Sequence, residues 1–236
     1  MAGKIRKRHV QLTLDDARKE VGQGGWRRHA GRKKKPGSIS HDKRPRFAAH
    51  HPQHVTIRLV ESAPSLARDW LMTIIRKAIA DSHKPGFRII EFNVLCNHLH
   101  LVIEAANEHA LSAGMQGFEV RLARRVNRAL GRRGQLFAHR YHARSMTTPR
   151  DVRNTLRYVL LNRKHHAAEK KFSKYWIDPY SSAAWFKGWA APIRCDTYWK
   201  QHLVAMAAPT KPPSVWLLTT GWLKHYGPLR FDEAPA

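Results

Sequence analysis

Two β-rich runs, FRIIEFNVL (residues 87–95) and HLHLVIEA (98–105), are separated by Cys96 and Asn97 alone, so the chain has room only to double back as an antiparallel hairpin. Strands this apolar need cover, and the flanking segments are patterned to give it. HVTIRLV (54–60) alternates and is rich in β-branched residues, which predicts a strand with one buried face. SLARDWLMTIIRKAIA (65–80) sets Leu66, Trp70, Ile74 and Ala78, with Leu71, Ile75 and Ile79, at helical spacing, and Lys84-Pro85-Gly86 ends it. Residues 110–130 predict a second helix that stops at Gly131. QLFAHRYHARSM (135–146) reads as a fourth strand, and Thr148-Pro149 introduces a helix over 150–166.

The order β-α-β-β-α-β-α predicts an α+β fold, a ferredoxin-like antiparallel sheet with helices on one face plus one extra helix. This domain is expected to span residues 51–166, after a basic arm (1–50) and before a Trp-rich extension (167–236) that packs back on the core. The extension holds six of the eight tryptophans, either as docking anchors or as base-stacking platforms, and its WLLTTGWLKHYG stretch reads as a terminal helical hairpin.

Charge narrows the partners. The formal net charge is +26, and the first 50 residues alone hold 15 Lys or Arg against four acids, which points to a polyanion. Within the arm, Arg32, Lys33, Lys34 and Lys35 lie between glycines, suited to a narrow minor groove or to unspecific phosphate contacts. Arg121, Arg124, Arg125, Arg128, Arg132 and Arg133 follow one another on and after the second helix, with Glu119 the acid beside them, so a DNA backbone is the expected counter-charge. No apolar run reaches the roughly 18 to 20 residues of a membrane span and no secretory signal is evident, so a cytoplasmic, nucleoid-associated location is expected. With only Cys96 and Cys195, neither a disulfide framework nor a cysteine-rich zinc module is supported.

His98 and His100 flank Leu99, so strand alternation sends both imidazoles to one sheet face, where they can hold a divalent ion. A His-x-His pair arises by chance about once in a chain with 16 histidines, so the apolar strand around it carries more weight than the spacing. On the last helix, Tyr158 and Asn162 are four apart and share a face, whereas Leu156, Val159 and Leu160 turn to the core. Read alone, these are equally a core-edge phenol and a surface amide.

Taken together, NHLHLVIEA, the segment GMQGFEVRLARRVNRALGRRGQLFAHRYHAR and RYVLLN resemble the single-tyrosine HUH transposases, and specifically the REP-associated tyrosine transposase family. The resemblance covers about half the chain, and Arg163 stands where many relatives have proline. It implies a nuclease cutting single-stranded DNA next to hairpins or repeats, with Tyr158 as nucleophile and His98, His100 and Asn162 as metal ligands. Two nitrogens and an amide oxygen suit Mg²⁺ or Mn²⁺ better than zinc. The attack would leave a 5′-phosphotyrosine and a free 3′-hydroxyl, which conserves the bond for rejoining. A phenol of ordinary pKa needs help to attack, from Arg157, from Lys164 or from water on the metal. Tyr141, between Arg140 and Arg144, is the competing nucleophile, although a strand tyrosine there fits a base platform along the DNA path better. The partner would be a single-stranded DNA hairpin or repeat, met by a monomer or a homodimer. The rival reading is a non-catalytic basic DNA- or RNA-binding protein, against which HLHLVIEA offers no aromatic platform.

Overall fold

The computed structural model describes residues 45–166, 172–173 and 175–233. The hairpin forms as its spacing requires: β2 (Phe87–Val94) pairs antiparallel with β3 (His98–Ala105). β1 (Gln53–Arg58) lies against the other edge of β3, and β4 (His142–Ser145) against β1, which gives an all-antiparallel sheet of order β2-β3-β1-β4. α1 (Asp69–Ala80) links β1 to β2 and α2 (Glu108–Ala129) links β3 to β4. The asparagine cap of α2 is local chemistry, since the Asn107 side chain accepts from the Ala110 amide at 2.9 Å.

Alternation along β1 and β3 decides the layers. Val55, Ile57, Leu99, Leu101 and Ile103 turn to one face, where Leu71 and Ile75 of α1 and Met115, Phe118 and Leu122 of α2 complete a buried cluster. Trp70 does not join this stripe: α1 begins at Asp69, and Trp70 in its first turn is 48% exposed. The fourth strand is also shorter than its sequence suggests. Leu136, Phe137 and Tyr141 all enter the core cluster, a spacing that period two cannot satisfy, so residues 135–141 meet β1 through isolated bonds and regular pairing starts at His142.

The opposite face is covered as well. Val152, Leu156, Val159 and Leu160 of α3 (Pro149–His166) pack with Val102 of β3 and Ile90 of β2, and Leu217, Leu218, Trp222 and Phe231 of the C-terminal segment close over them. That segment holds α4 (Tyr198–Ala205) and a π-turn (Leu217–Gly221) that runs straight into α5 (Trp222–Tyr226), one continuous helical piece where a hairpin was expected. It is tied to β3 by buried Glu104, which accepts from the Ser214 amide at 2.7 Å and the Val215 amide at 3.0 Å and pairs with Arg88. Among the described residues no helix is long and apolar enough to cross a membrane.

β2 carries a bulge. Ile89 faces Ile103 but Glu91 faces Val102, so Ile90 is the extra residue, and Glu91 joins Val102 on the α3 side of the sheet. Burial pushes the Glu91 carboxyl up to about 8, and a hydrogen bond from Ser182 only partly opposes this. In the unfolded chain the group ionises from about 4.5, so folding holds it protonated and native stability falls as pH rises from there through 8. Urea unfolding of Glu91→Gln should therefore match wild type at pH 4 and exceed it by a growing margin up to pH 8. An unchanged margin would place the carboxyl in water.

Packing of α2 on β2 yields a paired prediction. A methyl at Gly114 would overlap the buried Phe87 ring, whereas one at Gly117 meets only Lys84 Nζ at 3.6 Å. Gly114→Ala should destabilise by about 1–3 kcal/mol despite the gain in helix propensity. Gly117→Ala should stabilise by up to about 1 kcal/mol. Equal effects in chemical denaturation would contradict this packing.

Candidate active site

The polar face of the sheet lies beneath α3. The register sets Thr56 opposite both His100 and His142, His54 opposite Arg144, and Asn93 opposite His100, which makes a polar row across all four strands. His98 and His100 share this face, their ring centroids 4.8 Å apart. The Tyr158 hydroxyl reaches His100 Nε2 at 3.4 Å, and the two rings meet edge to face at 5.0 Å.

The other nitrogen of His100 is held from below. Its Nδ1 lies 3.2 Å from both Thr56 Oγ1 and His54 Nε2. Burial, with the positive charges of Arg144 and His142 alongside, pushes His54 down to about 4, so that ring is neutral at pH 7. With its proton on Nδ1, His100 donates to Thr56 or His54 and turns the Nε2 lone pair toward Tyr158. His98 Nδ1 is bound in the same way at 2.7 Å by Asn97 Oδ1, the polar residue of the hairpin turn.

Asn162 is fully buried one turn beyond Tyr158, and among the described residues neither its amide oxygen nor its nitrogen has a hydrogen-bond partner. An orphaned buried amide costs about 1–3 kcal/mol, and a bound ligand or water is what would satisfy it. Its turn of α3 is fastened in place. Arg163 Nη2 donates to the Val94 carbonyl at 3.5 Å, and Val94 lies opposite Leu99, the residue between the two histidines. Arg163 Nε also stands 3.3 Å from the buried Asp178 carboxylate, which accepts from Asn93 Nδ2 at 2.9 Å, and the Arg163 guanidinium lies over the Tyr180 ring at 4.2 Å. Burial pushes Asp178 up, and the Arg163 charge opposes that shift.

A shallow cleft of about 280 Å³ opens beside the phenol, lined by His54, Arg144, Asn154, Thr155 and Tyr158. Arg144 stands over it, its Nη2 donating to Thr155 Oγ1 at 3.1 Å and its Nη1 3.7 Å from Asp151. Positive charge and a phenol thus share one opening, which suits a phosphodiester.

The comparisons with known proteins bear on this arrangement. A family model described as transposase IS200 like matches residues 53–162, a span that begins on β1 and ends at Asn162. Residues 53–162 are thus similar in sequence to the IS200-like transposases. The family is one of DNA transposition. Among solved structures, the REP-associated tyrosine transposase bound to a REP hairpin superposes with a TM-score of 0.50 at 18% identity, over 75% of this chain and 99% of that one. At that identity the likeness concerns the fold. No curated protein matches the chain.

The fold brings some sequence-derived candidates together and separates others. Tyr158 of α3 meets His100 beside His98, Arg144 lines the cleft next to the phenol, and Asn162 lies one turn further along α3. Arg157 turns aside to Glu233 at 3.9 Å, alongside Arg153, which binds both oxygens of that carboxylate at 2.9 Å. The α2 arginines lie across the sheet from Tyr158. There Arg125 pairs with Asp81 at 2.6 Å and Arg121 donates to Ser82 Oγ at 2.7 Å, so the residues just after α1 supply one counter-charge and one hydroxyl to the row. Arg132 donates to Asn127 Oδ1 at 3.0 Å, while Arg124, Arg128, Arg133 and Arg140 are exposed. Tyr141 sits in the core on the α1/α2 side, which removes it from the DNA path expected of it. Arg32, Lys33, Lys34 and Lys35 lie outside the described residues.

His54, Thr56, His142 and the Asn93–Asp178–Arg163 chain were not anticipated. The alternation of HVTIRLV already placed His54 and Thr56 on its polar face, but nothing local links Asp178 to β2.

The orphaned amide makes a testable cost. In the presence of chelator, Asn162→Leu should raise unfolding stability by about 1–3 kcal/mol. A loss of stability on this substitution would mean that the amide is satisfied in solution.

Proposed function

We propose that this chain cleaves and rejoins single-stranded DNA beside hairpins or repeats, with Tyr158 as the nucleophile and His98, His100 and Asn162 as the ligands of Mg²⁺ or Mn²⁺. The observation that carries the reading is the Tyr158 hydroxyl within 3.4 Å of His100 Nε2, above a histidine pair whose other nitrogens are already engaged. The donor set fits a hard cation with open positions: two imidazoles from β3 and a buried amide without a partner among the described residues. When bound, such an ion would neutralise the phosphate oxygens while the phosphorus is attacked.

The remaining work falls to the chain itself. Tyr158 Oη forms the new bond to phosphorus and the 3′-oxygen leaves, giving a 5′-phosphotyrosine and a free 3′-hydroxyl. Arg144 steers and holds a phosphate in the cleft. His54 and Thr56 fix the tautomer of His100, and the Arg163–Asp178 pair holds the last turn of α3 over the histidines. The phenol of one chain reaches the imidazole of the same chain at 3.4 Å, so cleavage does not require a second copy to supply the nucleophile.

A non-catalytic RNA- or DNA-binding sheet needs an open face with aromatic platforms. Here both faces are closed, by α1 and α2 on one side and by α3 with the C-terminal segment on the other. That favours chemistry at the edge of α3 over base stacking on the sheet.

A labelled hairpin-bearing single strand, incubated with Mg²⁺ or Mn²⁺, should yield a protein–DNA adduct that survives denaturation. Tyr158→Phe should abolish the adduct and leave affinity within about twofold, the phenol hydroxyl being spent on the reaction rather than on binding. His98→Ala should lose the adduct as well. An adduct that persists in Tyr158→Phe but vanishes in Tyr141→Phe would assign the wrong nucleophile, and tight binding without an adduct across hairpins would favour the binding-protein reading.

A further inference from the structure

On the flank of α3 away from the phenol lies a second cavity, of about 430 Å³. Its walls are Trp185, Phe186 and Trp222, its mouth carries the exposed Lys187 and Lys211, and Leu156 of α3 closes the near side. Glu91, 7% exposed, lines it from the sheet. A carboxyl in this position is not required by packing. The bulge at Ile90 sets Glu91 on this face, and bulges of this kind re-aim side chains beside functional sites. Ser182 hydrogen-bonds the carboxyl, which can make further hydrogen bonds, and Glu91 is among the residues that line the cavity.

Flat aromatic walls, one buried hydrogen-bonding group and cations at the rim describe the complement of a nucleotide. We propose that this cavity receives one nucleobase unstacked from the substrate strand, held between the aromatic side chains, gripped on its polar edge by Glu91, with the adjoining phosphates on Lys187 and Lys211. This rests on the reading of the chain as a single-strand DNA enzyme. Leu156 and Tyr158 are two residues apart on α3 and so point to roughly opposite flanks of a helix about 10 Å across. The base site and the cutting site are thus a few nucleotides apart along a strand that crosses α3. Burial keeps the carboxyl protonated at neutral pH, so it offers one donor and one acceptor side by side. All four bases display such a matching edge, and the pocket would anchor a base without selecting sequence.

The test uses the full chain carrying Tyr158→Phe, so that the strand is not consumed. A hairpin-bearing single strand is scanned with 2-aminopurine and, separately, with abasic positions. One flank position should show strong quenching of 2-aminopurine, and its abasic version should bind about tenfold more weakly, the scale of one lost base stack. Glu91→Leu should erase both effects, and Glu91→Gln, which keeps a donor and an acceptor, should retain them. A flat scan overturns the proposal, as does a position effect indifferent to Glu91→Leu. If dAMP or dCMP alone binds the pocket as tightly as the strand and the scan is flat, the site serves free nucleotides and the strand reading falls. Adduct formation by the chain with Tyr158 intact, together with a flat scan, overturns the pocket alone, whereas failure to bind any strand overturns both readings.

Discussion

Strand β3 is buried on both faces, and the rest of the molecule is arranged to make that tolerable. Its odd positions, Leu99, Leu101 and Ile103, are sealed by α1 and α2, while its even positions carry His98 and His100 followed by Val102. Imidazoles cannot be enclosed without partners, because each ring nitrogen would forfeit a hydrogen bond to water. β1 supplies Thr56 and His54, the hairpin turn supplies Asn97, and α3 supplies Tyr158. The site is thus the solution to a packing problem: a polar patch on a central strand, roofed by a helix whose inner face is part apolar and part chemical.

The roof stays in place because of residues far along the chain. Trp222, Leu217 and Phe231 wedge α3 against the sheet, Glu104 anchors the returning segment, and Asp178 reaches both Asn93 of β2 and Arg163 of α3. Arg163 therefore has a structural task of its own: it bridges the strand opposite the histidines and a buried carboxylate. The same enclosure leaves the Asn162 amide without a partner among the described residues, at a cost to stability.

Positive charge is distributed unevenly in its role. Arg144 is delivered to the cleft by β4, Arg153 and Arg157 are committed to Glu233, and Arg121 and Arg125 of α2 are engaged by the residues just after α1 on the far face. Within the α2 row, Asp81, 44 residues from Arg125, takes up that one guanidinium, while Arg124, Arg128 and Arg133 stay exposed.

The element order, the hairpin and the placing of two imidazoles on one face followed from the sequence, because alternation and helical spacing are local periodicities that each segment obeys within a few residues. Tyr158 and Asn162 on one face of a helix followed for the same reason. The sequence did not determine that Phe137 would leave the fourth strand for the core, that Tyr141 would be enclosed there, or that His54 and Thr56 would support His100. These depend on which strands become neighbours, and sheet order is settled only when loops close and both faces find their cover. The tertiary structure alone decided that a phenol on a late helix meets an imidazole on an early strand, 58 residues away, and that Asp178 secures the helix between them.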